Sequence, residues 1–119
     1  MKDFRNLKIW QRSHGMALVV YKLTRAFPKH ELYGLISQIQ RAAVSVPTNI
    51  AEGCGRDSDA ELKRFAVIAM GSSSELEYLL LLPHDLEYLQ TDVYQATYSE
   101  LVETRRMTNS FIQTLKANS

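Results

Sequence analysis

Residues 58–82, SDAELKRFAVIAMGSSSELEYLLLL, decide the fold class. Leu62, Phe65, Ala69, Ser72, Leu76 and Leu79 follow one another at alternating steps of three and four, the spacing that lines one face of an α-helix. Ser58-Asp59-Ala60-Glu61 opens the stretch as a capping box, in which the Ser hydroxyl and the Glu carboxylate each accept a backbone N–H that the first turn leaves unpaired. These signals predict a helix over 59–82, ending before Pro83. Val67, Met70, Tyr78 and Leu81 form a second apolar line, well over 100° around the helix from the first at about 100° per residue. One core does not bury both lines.

The same period extends outward from this segment. Residues 31–53 carry Leu32, Leu35, Ile36, Ile39, Ala43, Val46 and Ile50 at helical spacing, with Gly53 and Gly55 at the end, and Pro47 predicts a kink or break in this second helix. Thr91 is a candidate N-cap for a helix over 92–117 with Tyr94, Tyr98, Leu101, Thr108, Ile112 and Leu115 on one stripe. A first helix over 6–26, stopped at Phe27-Pro28, carries two stripes. Trp10, His14, Ala17, Tyr21 and Thr24 read as its core side, and Met16, Val20, Leu23 and Phe27 as its second line. Strand-like alternation is sustained nowhere, and three Pro and five Gly in 119 residues are too few for the turns of an all-β fold. The expected architecture is all-α: a single domain over 1–119 forming an antiparallel up-down four-helix bundle.

Composition excludes several function classes. The longest apolar run, Tyr78 to Pro83, falls far short of the roughly 20 residues that cross a bilayer, so no membrane is an expected partner. The first fifteen residues lack the apolar stretch of a secretory signal, and the single Cys54 forms no internal disulfide; both fit a cytoplasmic location. The positions three before His14, His30 and His84 are Gln11, Phe27 and Leu81, so the Glu-x-x-His element of a di-iron bundle is missing and no metal or other cofactor is expected. Gly53-Cys54-Gly55 lacks the Gly-Lys-Ser/Thr of a phosphate-binding loop, and no base can be placed beside Cys54. No catalytic residue is assigned, and the chain is expected not to be an enzyme.

Two features do suggest function. The net charge of +1 is unevenly spread: residues 1–41 hold eight Lys/Arg against Asp3 and Glu31, or +6, whereas residues 42–104 hold three against eleven acids, or −8. Arg12, Lys22, Arg25, Arg41, Arg56, Lys63, Arg64, Arg105 and Arg106 are the candidate phosphate contacts for RNA or DNA, since such contacts supply most sequence-independent affinity. The second feature is the surplus apolar surface. Met16, Val20, Leu23, Val67, Met70, Tyr78 and Leu81 are the candidate oligomer interface, because a second stripe marks a partner surface.

Tyr33-Gly34-Leu35, Ser37-Gln38-Ile39, Arg41 to Pro47 (RAAVSVP) and Asn49 to Gly53 (NIAEG) resemble the signature of the four-helix bundle proteins encoded in 23S rRNA intervening sequences. Trp10-Gln11, Val20 to Thr24 and Phe27-Pro28 extend the likeness upstream; Gly55-Arg56, Arg64-Phe65, Ile68-Ala69, Gly71-Ser72 and Glu75 to Glu77 extend it downstream. The resemblance implies an up-down bundle assembled as a homopentamer without catalytic activity. The accessory variability determinants of diversity-generating retroelements are similar, and that likeness implies binding of nucleic acid and of a reverse transcriptase. The resulting expectation is a homopentamer that binds structured RNA or DNA through its basic residues. The alternative is an interaction scaffold or accessory subunit for a partner enzyme such as a reverse transcriptase. Gln40 departs from the family pattern, which has a basic residue there, and so does Pro83, where helix would continue.

Overall fold

The apolar spacing translates into four long helices in a computed structural model that describes residues 2–118, with side chains described through Leu115. They are α1 (Lys8–Thr24), α2 (Ser37–Cys54), α3 (Asp59–Asp85) and α4 (Thr91–Asn118), and the described residues contain no strand. Each helix packs against the next and α1 also meets α4, giving a body of 45 × 24 × 20 Å. A 3₁₀ turn at Phe4–Asn6, capped by Asp3, precedes α1. The Lys2 N–H donates to the Cys54 carbonyl at 2.9 Å, tying the N-terminal segment to the end of α2.

The helix ends follow local chemistry. Ser58 Oγ accepts the Glu61 N–H at 3.2 Å, so the cap of α3 forms. Its reciprocal half does not: the Glu61 carboxylate takes the Arg64 guanidinium at 3.0 Å instead, because a charged donor three residues on outcompetes a backbone N–H. Pro83 does not stop α3, which runs to Asp85 with Pro83 buried in its last turn. The stop is a Schellman motif. Glu87 N–H donates to the His84 carbonyl at 3.0 Å, Tyr88 N–H donates to the Pro83 carbonyl at 2.8 Å, and Glu87 occupies the left-handed position at φ 66°. Thr91 begins α4, but its hydroxyl bonds His84 Nε2 at 3.0 Å rather than its own helix.

The expected break at Pro47 is absent: α2 runs through it from Ser37 to Cys54. The departure from helical backbone comes earlier, at Gly34 (φ −112°, ψ −105°), inside a π-helical turn over Leu32–Ile36 that follows a 3₁₀ turn at Lys29–Glu31. Polar side chains of the turns around Pro47 bond locally and to α3. The Asn49 amide donates to the Ser45 carbonyl at 2.8 Å, and Ser45 pairs with Ser72 of α3 at 2.8 Å.

The core divides into two apolar clusters. One joins Met16, Val20, Ile39, Leu76, Leu80 and Leu101; the other joins Ile9, Ile50, Cys54, Leu62, Ala69 and Leu115. Between them each helix carries small hydroxyl residues: Ser13, Ser45, Ser72 and Ser73, and Thr104 with Thr108. Ser13, Thr104 and Thr108 are buried and donate to carbonyls of their own helix, which satisfies them without cross-links. Helices α2 and α3 approach closely at Gly53, where a Cβ would lie 2.9 Å from that of Phe65. Over an 18-residue window α3 has mean hydropathy 1.4, long and apolar enough by those measures to cross a membrane, and 39% of the window is buried against the rest of the chain.

Candidate nucleic-acid interface

Six of the nine cationic candidates meet carboxylates of their own chain. Arg12 reaches Glu100 across α1 and α4 at 3.3 Å; Arg41 pairs with Glu75 between α2 and α3; Arg105 pairs with Glu77 between α4 and α3. Arg56 with Glu52 (3.1 Å), Arg64 with Glu61 (3.0 Å) and Arg106 with Glu103 (3.0 Å) pair along one helix or at its end. The guanidinium neighbours hold the Glu61 and Glu103 carboxyls below the ordinary range, first through the hydrogen bond and then through charge. Lys22, Arg25 and Lys63 have no ion-pair partner among the described residues. Of the eight cations in residues 1–41, Arg12 and Arg41 meet acids of α3 and α4, so the imbalance of +6 against −8 is offset between helices only in part.

The apolar candidates divide differently. Val67 is 51% and Tyr78 59% exposed, Leu81 is exposed and Met70 half-buried, so the second line of α3 does face outward. On α1 the second line is the more deeply buried of the two stripes. Met16 (4% exposed) and Val20 (0%) lie in the protomer's own core with Leu23 packed beside them, and are corrected from interface to core. Of the stripe read as core, Ala17 and Thr24 are buried, whereas His14 and Tyr21 are exposed and Trp10 is partly so. Trp10 stacks on His14 with ring centroids 4.8 Å apart, and with Phe4, Ala17, Leu18, Tyr21, Val44 and Pro47 they line an apolar groove of about 540 Å³ between α1 and α2. Both stripes have helical spacing, so only the positions of α2 and α4 select the buried one. Tyr98, which its spacing placed on the α4 stripe, is exposed, and with Val102 it adds outward apolar surface.

Other groups with chemical capability are engaged. Cys54 is buried, and desolvation pushes its thiol above the ordinary range despite the opposing charge of Lys2, which disfavours a nucleophilic thiolate. His84 lies between Asp85 Oδ1 (3.1 Å) and Thr91 Oγ1 (3.0 Å) and stacks on Tyr94, fastening the end of α3 to the start of α4. His14 and His30 are exposed on other turns. Among the described residues no three His, Cys, Asp or Glu side chains group as a metal site.

The sequence profile of the 23S rRNA-intervening sequence protein family matches residues 5–110, which takes in α1, α2, α3 and most of α4, with the RAAVSVP and NIAEG stretches. The chain belongs to this family. Its fold is that of a protein of unknown function from the S23 ribosomal protein family of Bacteroides thetaiotaomicron. The TM-score is 0.78 and the identity 24%, and the match covers 87% of this chain and 97% of the other. No curated protein matches the chain. As a 23S rRNA-intervening sequence protein, the chain shares an all-helical fold with a family whose function is not established.

Proposed function

We propose that this 23S rRNA-intervening sequence protein is a cytoplasmic, non-enzymatic homo-oligomer, a pentamer of antiparallel up-down four-helix bundles, that binds RNA or other nucleic acid through basic surface residues. The observation that carries the reading is the presence of two unlike apolar faces on one protomer: the groove of α1 and α2, and the outward line of α3 with Tyr98 and Val102 of α4. Unlike faces associate head to tail, and head-to-tail contacts close into rings when the rotation permits. The antiparallel arrangement is supported by connections too short to cross back along the molecule: residues 55–58 between α2 and α3, and residues 86–90 between α3 and α4, whose helices pack together. Nucleic-acid binding is supported by the unpaired Lys22, Arg25 and Lys63, and by the exposure of the ion-paired arginines, whose carboxylate partners are exchangeable for phosphate at little cost.

Light scattering on the intact protein, alone and with Leu18→Glu or Tyr78→Glu, tests the assembly. Five protomer masses falling to fewer in either variant is the expected result; a monomer in the wild type refutes it. Affinity for a structured RNA should fall steeply between low and moderate salt as counterions cease to drive binding, and a salt-independent affinity refutes the basic-surface contact. The internal pairing of six of nine cations favours a second reading, an interaction scaffold for a partner enzyme such as a reverse transcriptase. Assembly without measurable RNA affinity supports that reading over the first.

A further inference from the structure

Tyr33 is 94% exposed on the π-helical turn before α2, the most exposed of the large apolar side chains, and Leu32 beside it is half exposed. Among the described residues neither the ring nor the hydroxyl of Tyr33 has an aromatic or hydrogen-bonding partner. Four residues earlier, in the same run of short helical turns, is Lys29; Lys22 and Arg25 close α1 at the same connection. These three cations have no carboxylate within ion-pair distance among the described residues, in contrast to the arginines that bridge helices. Glu31, the sole acid between residues 4 and 51, is engaged elsewhere: the Tyr88 hydroxyl donates to it at 3.2 Å and the Leu35 N–H also donates to it.

From this juxtaposition we infer that residues 22–33 form a site for single-stranded nucleic acid, in which an unpaired base stacks on Tyr33 and its flanking phosphates meet Lys29, Arg25 and Lys22. The inference rests on the nucleic-acid reading above and narrows it. A duplex keeps its base faces inside the stack, so a projecting phenol ring offers a π-face only to an unpaired base. At 94% exposure the ring of Tyr33 stands open to a stacked base.

Fluorescence anisotropy with a single-stranded oligoadenylate of about twelve nucleotides, and with its duplex, tests the site on the intact protein. Tyr33→Ala should weaken single-strand binding by about 5- to 100-fold, the range of one lost base stack, and leave duplex binding within twofold, while Tyr33→Phe retains wild-type affinity. Replacing Arg25 and Lys29 by Gln should lower the salt slope by about one each. A 2-aminopurine in the oligomer should lose fluorescence on binding the wild type, and less on binding Tyr33→Ala. Wild-type binding that Tyr33→Ala leaves unchanged overturns the stacking site alone; failure of the wild type to bind either nucleic acid overturns the broader reading with it. A changed oligomer mass in Tyr33→Ala with unchanged affinity makes Tyr33 a protein contact and likewise overturns the site.

Discussion

Replacing Gly53 by Ala should destabilise the protein even though Ala is the better helix former. Gly53 lies in the last turn of α2, buried against α3, and a Cβ there would stand 2.9 Å from the Phe65 Cβ, 3.0 Å from the Leu62 Cδ1 and 3.3 Å from the Leu62 Cα. The Leu62 methyl can rotate away; the Phe65 Cβ and the Leu62 Cα move only with the α3 backbone. Forcing such a shift costs about 1–3 kcal/mol, and Ala returns up to about 1 kcal/mol of helix propensity. The net expectation is a loss of up to about 2 kcal/mol. Gly71 in the middle of α3 is the internal control, since a Cβ there meets nothing within 4 Å, and Gly71→Ala should gain about 0.5–1 kcal/mol. Urea unfolding followed by circular dichroism, at one fixed protein concentration to hold any association constant, compares the two. A Gly53→Ala variant as stable as Gly71→Ala would refute the close approach of α2 and α3.

Three further outcomes are expected. Glu87→Gly should stabilise by about 0.5–1 kcal/mol, because Glu holds a left-handed backbone in the Schellman turn where Gly has no Cβ penalty; thermal unfolding with no gain argues against the assigned φ of 66°. Ser58→Ala should cost about 1 kcal/mol by removing the acceptor for the Glu61 N–H, and a Ser58→Asp variant should recover it in the same denaturant assay. The Cys54 thiol, raised by burial, contributes stability that is complete below its ordinary pKa and is lost as pH rises through that value toward the raised one. Alkylation should therefore be slow in the native protein and fast in urea, and equal rates would contradict its burial.

Much of the fold is legible in spacing. The line Leu62, Phe65, Ala69, Leu76 and Leu79 is buried as the period requires, and Val67, Tyr78 and Leu81 stand outside it. What spacing does not resolve is a helix with two apolar stripes. On α1 both lines fit a period of 3.6, and burial of Met16 and Val20 rather than exposure follows from where α2 and α4 lie. Pro47 misleads because its local cost is real yet does not interrupt α2, and the departure from helical backbone lies at Gly34 instead. The basic candidates are legible as residues and not as a surface, because charge along a chain says nothing of which carboxylate lies across the next helix.

The sequence by itself determined the secondary structure class, the number of helices, the cap at Ser58 and the family, since these depend on neighbours three to four residues apart and on contiguous motifs. Tertiary structure alone decided which stripe of α1 is core, and that Arg12, Arg41 and Arg105 are held by acids of another helix. Each of these depends on residues far apart in the chain, whose approach is fixed by packing of whole helices and carries no local periodic signal.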